Sequence, residues 1–364
     1  MQSLQNINIG HKRVLVAPLD WGLGHATRCM PIIKELLAQG FCVIIAAEKV
    51  CAILLEKEFP HLKILPLQGY RVSYSKNAQF FFIKMLSQLP KINAAIKKEN
   101  KWLQQIIEEY KIDIVIADNR YGLHNKNCYC IFITHQLFIK TGNRLTDWLA
   151  KKINYRYINN FDECWVPDVE GNENLAGKLS HPHTKPIVPV KYIGILSRFK
   201  KIEVEKNIDF LVMLSGPEPQ RTMLEEILLE QLENINCKTV FARGLPAAKD
   251  KIFSENVGME IINHLPAYEL NELICSAKTV VARSGYSTIM DLAVLQKASI
   301  LIPTPGQTEQ EYLAKFLAEK KYCITASQKN LNLTKELENL GKTALEKFPA
   351  APDEALKNII NTLK

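Results

Sequence analysis

The chain has no apolar run near the roughly 18 residues needed to cross a membrane. Its longest, such as FCVIIAA (Phe41–Ala47), are strand-sized. The opening residues MQSLQNINIGHKR hold no apolar core of a secretory signal. These absences set the expectation of a cytoplasmic protein. No two cysteines have the C-x-x-C spacing of a zinc site. The 9 cysteines are scattered, Cys128 and Cys130 stand one residue apart, and most, among them Cys42, Cys275 and Cys323, sit in apolar patterns. Buried reduced thiols explain them better than disulfides or a metal site. No RNA- or DNA-binding motif is present, and no repeat of fixed period. The net charge of +8 still suits an anionic partner: nucleic acid, an anionic membrane surface or a phosphorylated substrate.

At 364 residues, 47% hydrophobic and 23% charged, the chain is a globular protein long enough for two domains. RVLVAPL (Arg13–Leu19) reads as a buried strand. RCMPIIKELLAQG carries Met30, Ile33 and Leu37 at helical spacing, and Pro31 places the helix start near Thr27. Apolar strands at 41–48, 62–67, 113–118, 128–136 and 163–168 follow, alternating with helices, which predicts a parallel sheet covered on both faces. Residues 174–194, rich in Pro, His and Lys, read as a connection closed by GILSRF (Gly194–Phe199). A second α/β series then runs through strands at 208–216, 238–244, 259–265, 279–285, 299–305 and 323–327. The expectation is an α/β protein of two doubly wound domains, 1–199 and 207–350, with an amphipathic helix at 353–364.

Four segments at expected carboxyl ends of strands carry chemistry. In GLGH, Gly22 and Gly24 let a backbone approach a ligand, the following helix start favours anions, and His25 has a pKa suited to a general base. A tight turn with a capping His is the plain alternative. The segment lacks the full dinucleotide fingerprint, and Glu48 is a poor match for its acid. In ARSGYSTIMD, Arg283 can pair with phosphate, Ser284 can donate, Gly285 opens the turn, and Asp291 can accept from two ribose hydroxyls. Thr288-x-x-Asp291 also has the spacing of a capping box. PTPGQTEQEYLA places Gln307, Glu309 and Gln310 where sugar hydroxyls could be held, or where a loop is simply solvated. SGPEPQR places Ser215, Gly216 and Arg221 toward the same cleft, or forms a Pro-rich turn.

With these residues in hand, the chain resembles the GT-B nucleotide-sugar glycosyltransferases, and within them glycosyltransferase family 28, the group containing the peptidoglycan lipid-linked N-acetylglucosaminyltransferase. The resemblance lies chiefly in Val280–Tyr322: R-S-G, then T-x-x-D, a strand and a Gln-rich loop. LDWGLGHATRCMP resembles the N-terminal Gly-Gly-His loop more loosely. It implies two Rossmann-like domains facing across a cleft, with the helix at 353–364 crossing back to the first. It implies Asp291 as the ribose-binding acid, the backbone around Ile262, His264 and Leu265 on the base, and Ser215 and Gly216 as a phosphate loop from which Pro217 and Pro219 depart. Arg198 would approach the phosphates and with Arg283 stabilise the leaving group, Arg28 and Arg221 would line the substrate cleft, and Gln310, with Glu309 or Glu311 beside it, would hold the donor sugar. The implied reaction moves a hexose or N-acetylhexosamine from a UDP-sugar to a hydroxyl acceptor. His25 takes the hydroxyl proton, the anomeric centre inverts, and neither a metal nor a cofactor takes part.

The acceptor is less legible. Tyr74–Trp102 carries six Lys and one Glu with Phe80, Phe81, Phe82 and Trp102, and Ile139–Tyr157 repeats the mix with Trp148. Such helices suit an anionic membrane surface, hence a carbohydrate or lipid-linked acceptor and a peripheral place on the inner face of the cell membrane, or they are ordinary surface helices. GLGHATRC also resembles the G-x-G-H-x-x-R-C loop of UDP-sugar hydrolases of this fold, where His25 would activate water. A nucleotide-sugar 2-epimerase is a variant of that reading, and a non-catalytic nucleotide-sugar-binding protein is the alternative from another class.

Overall fold

Short unbroken apolar runs build the strands, because each strand is covered on both faces by helices. A computed structural model describes residues 11–70, 88–246, 248–250, 252–350 and 354–364. In chain order the first sheet comprises β1 (Arg13–Pro18), β2 (Cys42–Ala47), β3 (Lys63–Pro66), β4 (Ile114–Asp118), β5 (Tyr129–Ile133), β6 (Glu163–Val166) and β7 (Val190–Tyr192). Its helices are α1 (Leu23–Ala38), α2 (Lys49–Glu58), α3 (Leu89–Tyr110) and α4 (Arg144–Ile158). The second sheet comprises β8 (Ile208–Met213), β9 (Thr239–Ala242), β10 (Met259–Ile262), β11 (Ala277–Ala282), β12 (Ser299–Leu301) and β13 (Ile324–Thr325). With it run α5 (Gln220–Leu232), α6 (Ala267–Ser276), α7 (Tyr286–Leu295), α8 (Thr308–Glu319) and α9 (Leu333–Lys342), and α10 (Ala355–Asn361) ends the chain.

Pairing is parallel throughout. The strand orders are β3-β2-β1-β4-β5-β6-β7 and β10-β9-β8-β11-β12-β13. Each order reverses once, between β1 and β4 in the first sheet and between β8 and β11 in the second. Outside the carboxyl ends of such a pair a crevice opens, because the two crossover helices leave to opposite sides. In the first sheet Pro18 lies opposite Asp118, and in the second Met213 lies opposite Ala282. GLGH and ARSG therefore follow strands at the two switch points.

One apolar core runs through both lobes, joining Ile33, Ile45 and Trp165 to Ile289, Leu292 and Leu317. The last helix returns to the first lobe. Ile360 is fully buried, Gln39 donates to Lys357 O at 2.9 Å, and Lys12 Nζ donates to Leu363 O at 2.8 Å. Among the described residues no helix is long and apolar enough to cross a membrane.

Three expectations are corrected. The connection at 174–194 contains β7, a short edge strand on β6. Helix α1 begins at Leu23 rather than near Thr27, with Pro31 inside it. Gly22, at φ 97°, breaks the chain ahead of it. Burial of Ala26, Cys29, Met30, Ile32, Ile33 and Leu36 outweighs the roughly 3 kcal/mol that an internal proline costs. Cys42 is exposed, although all nine cysteines are free thiols. Of the basic aromatic stretch expected at 74–102, residues 74–87 lie outside the described residues, as do residues 351–353 before the last helix.

Candidate functional site

The two glycine turns lie against each other. A Cβ placed on Gly24 would come within 2.2 Å of Ser287 Oγ. Gly24 opens α1 in the first lobe, and Ser287 stands in the first turn of α7 in the second. Two helix N-termini thus converge on one place, each with unsatisfied backbone N–H groups. His25 sits beside this junction, four-fifths or more covered, its side chain 15% exposed.

His25 is held from beneath by Asp118, the fully buried last residue of β4. The two are 3.0 Å apart, Nδ1 to Oδ2. Burial would raise the Asp118 pKa, but the Arg28 guanidinium and His25 hold it well below the usual carboxylate range. Arg28, one helical turn after His25 and itself buried, donates from Nε to Asp118 Oδ2 at 2.9 Å and from Nη2 to Oδ1. Burial first, then the Arg28 charge, depresses the His25 pKa, and Asp118 opposes them. Burial and the Arg28 charge both favour the neutral ring, the form a proton acceptor needs. When Nδ1–H donates to Asp118, Nε2 is left as the accepting nitrogen. Asp118 was not singled out in the sequence, although an acid closing an otherwise apolar strand, DIVIAD, was its signal.

A second pair bridges the lobes. His135, after β5, places Nε2 2.8 Å from Glu309 Oε1 on α8. Its ring stacks on Tyr286 of α7, centroids 4.1 Å apart and 8° from parallel. Gln136 also donates to Glu309, and Tyr286 donates its hydroxyl to Pro167 O at 2.7 Å. Glu309 therefore contacts the first lobe; burial would raise its pKa, but the His135 contact holds it low.

On the second lobe, Asp291 is half-buried in α7. Gly285 is the N-cap, so Asp291 lies too far along the helix to close a capping box. It accepts instead from Ser197 Oγ of the interlobe linker. Burial pushes its pKa up to about 7, against that hydrogen bond and the Arg198 charge. Arg198 stands beside it with a buried Nε that has no hydrogen-bond partner. His264 is exposed just after β10; some desolvation and then the charges of Arg198 and Lys57 hold its pKa low. Arg198 thus lies near both Asp291 and His264, and Lys57, which the sequence reading missed, brings a first-lobe cation near His264. Ser215 and Gly216 form an exposed turn after β8. Leu265 follows His264, half-buried.

Other expected ligands are committed to the protein itself. Arg283 is buried, with Nη1 and Nη2 on the carbonyls of Ile302, Pro303 and Gln220, while its Nε, like that of Arg198, has no hydrogen-bond partner. Arg221 is locked between Glu218 and Glu225. Arg28 is engaged by Asp118, His135 and His25. Ser284 donates to Gln310 O at 2.9 Å. The Gln310 side chain accepts from Thr304 N at 2.9 Å and donates to Gln307 Oε1 at 2.6 Å, a closed loop of amides at the start of α8. Among the described residues no three His, Cys, Asp or Glu side chains are grouped to hold a metal ion.

Residues 220–363 match the glycosyltransferase family 28 C-terminal domain, and residues 13–141 match glycosyl transferase family 1. An uncharacterized glycosyltransferase of Methanosarcina mazei is 24% identical over 328 residues, 85% of this chain and 84% of that protein. The UDP-N-acetylglucosamine–N-acetylmuramyl-(pentapeptide) pyrophosphoryl-undecaprenol N-acetylglucosamine transferase of Listeria monocytogenes is 23% identical over 249 residues, 65% of this chain and 67% of that protein. The crystal structure of MurG from Acinetobacter baumannii superposes with a TM-score of 0.57 at 15% identity, covering 96% of this chain and 98% of the other. The chain is a glycosyltransferase of the GT-B fold, and its second lobe is similar to the glycosyltransferase family 28 C-terminal domain.

Proposed function

We propose that the chain transfers a hexose or N-acetylhexosamine from a UDP-sugar to a hydroxyl acceptor, with inversion and without a metal ion. The observation that carries this reading is His25 held on Asp118 at the point where α1 meets α7. Nε2 takes the acceptor proton as the hydroxyl attacks the anomeric carbon from the face opposite the leaving UDP. Asp118 then stabilises the imidazolium that forms. On the other side the ribose hydroxyls donate to Asp291, and the base lies on the backbone near His264 and Leu265. The diphosphate takes the N–H groups at the start of α7 and the unpartnered Nε of Arg198. Developing negative charge is met there by fixed dipoles and cations.

The acceptor is carried at an anionic membrane surface, and the protein binds that surface peripherally. Support comes from the exposed Leu145, Trp148 and Leu149 on α4, flanked by the exposed Arg144 and Lys152. The lipid-linked substrate named for the Listeria relative points the same way.

The test measures UDP release from UDP-glucose and UDP-N-acetylglucosamine, with and without lipid and saccharide alcohols. His25→Ala should cut acceptor-dependent release on the order of 10²–10⁴-fold. Thermal stabilisation by UDP, about 2.7 kcal/mol at 100 times its Kd, should persist in that variant. Near-normal turnover would refute the base assignment, and equal release without any acceptor would make the enzyme a hydrolase.

A further inference from the structure

His25 stands between two hydrogen-bond partners that demand opposite tautomers. Its Nδ1 is 3.0 Å from Asp118 Oδ2 and 2.9 Å from Arg28 Nη2. A carboxylate only accepts and a guanidinium only donates. If Nδ1 carries the proton it gives it to Asp118, and Nε2 is bare and can act as a base. If Nδ1 accepts from Arg28, the proton sits on Nε2 and the base is lost. At nearly equal distances, the pose of Arg28 decides between them.

That pose is fixed from the other lobe. Glu309 accepts from His135 Nε2, so that nitrogen carries the proton in the neutral ring, and His135 Nδ1 is left as an acceptor. Arg28 Nη1 lies 3.3 Å from this Nδ1. With Nη1 on His135, and Nε and Nη2 on Asp118, the guanidinium is pinned side-on to the carboxylate. The His135 ring cannot easily turn away, because Tyr286 stacks on its face. Both groups that orient His135, Glu309 and Tyr286, belong to the second lobe. In this pose Nη2 has one N–H on Asp118 Oδ1 and lies 2.9 Å from His25 Nδ1, so the grip of the guanidinium on Asp118 decides whether Nδ1 keeps its own proton.

We propose that Glu309 is a positioning residue for the base: docked on His135, it fixes Arg28 and thereby the Nδ1–H tautomer of His25. Contact between the lobes thus assembles the proton acceptor. When Glu309 withdraws, His135 loses the partner that fixes its tautomer, Arg28 Nη1 loses its acceptor, and Nη2, already 2.9 Å from His25 Nδ1, can leave Asp118 and commit to that nitrogen. The coupling ties the base to lobe contact, so an open enzyme holding a donor is poorly able to activate water. This rests on His25 being the base; the coupling itself is readable without that premise.

The experiment compares wild type, Glu309→Gln and Glu309→Leu, each labelled with ¹⁵N-histidine. With only 8 histidines in the chain, the His25 ring nitrogens are assigned by their loss in His25→Ala. Glutamine keeps an oxygen that accepts from His135; leucine does not. The expected result is a protonated Nδ1 and bare Nε2 on His25 in wild type and Glu309→Gln, and loss of that preference in Glu309→Leu. In the UDP-release assay with UDP-glucose and UDP-N-acetylglucosamine, Glu309→Leu should lower kcat on the order of 10- to 100-fold. The donor KM should stay within about twofold, and Glu309→Gln should restore most of the rate. An unchanged His25 tautomer in Glu309→Leu overturns the proposal, as does a raised donor KM with kcat retained in both variants, which would make Glu309 a donor contact. Should His25→Ala keep normal turnover, the base reading fails while the tautomer comparison still decides the coupling.

Discussion

At His25 burial has the largest influence on the ring, and it favours the neutral form. The Arg28 charge acts in the same sense, and the Asp118 charge and hydrogen bond act against both. A base of this kind loses activity as pH falls through its own pKa, so the acid limb of kcat/KM should lie below the ordinary histidine value of about 6.5. In Asp118→Asn the opposing charge is gone. The limb should move to still lower pH while kcat falls on the order of 10²-fold or more, because an amide no longer holds the Nδ1–H tautomer. A limb that moved upward instead would show that Asp118 does not face the ring. Asp291 behaves in the opposite way, with a pKa pushed up to about 7. Between about pH 4 and 7 the unfolded chain carries this carboxylate charged while the fold prefers it protonated, so stability is lost as pH rises across that window. Asp291→Asn should therefore raise Tm relative to wild type at pH 8 and change it little at pH 4, while UDP-induced stabilisation falls. Thermal scans at the two pH values check both parts.

The elements were the most legible level of this chain. Apolar runs bounded by polar residues located every strand except β7, whose three residues sit among prolines and lysines and pair only at an edge. The start of α1 was misplaced because proline was weighed locally, while the cost is met by a face buried against the sheet. What local pattern does not contain is the partner across the gap. Gly24 reads in sequence as a backbone that a ligand approaches, yet its nearest neighbour is Ser287, from the other lobe. A methyl group there must displace a serine hydroxyl, which can rotate, at the junction that sets the spacing of α1 and α7. Gly24→Ala should lower turnover more than it lowers Tm, and Ser287→Gly, by opening room, should recover part of the loss. The double-mutant cycle should show a coupling of about 0.5–3 kcal/mol in kcat/KM. Strict additivity would mean that the two turns do not touch in the working enzyme.

Across the whole molecule, the site is made by topology more than by motif. His25 and Asp118, 93 positions apart, meet because β1 and β4 are neighbours. His135 and Glu309, 174 apart, meet because two lobes close on each other. Both sides of each pair lie at strand or helix ends that the sequence located, but their pairing is a property of strand order and lobe contact, which no single-chain pattern encodes. The same topology places α4. It follows β5, so its first turns rise at the carboxyl edge of the first sheet, the edge that carries His25. Leu145, Trp148, Leu149 and Lys152 share one face by their spacing of three, one and three, and the three apolar residues are 73%, 52% and 37% exposed. Beside them Arg144 and Lys152 supply positive charge. An apolar face rimmed by cations at that edge fits a surface that presents both acyl chains and anionic headgroups. Wild type should co-sediment with phosphatidylglycerol-containing vesicles and release them as ionic strength rises. Each cation near such a surface contributes about 1 kcal/mol, so Arg144→Glu with Lys152→Glu should weaken binding by roughly 30-fold or more. Trp148→Ser should weaken it at every salt concentration, since its contribution is apolar. Equal binding to neutral vesicles, unmoved by the charge reversals, would remove the membrane from the account and leave a soluble hydroxyl acceptor.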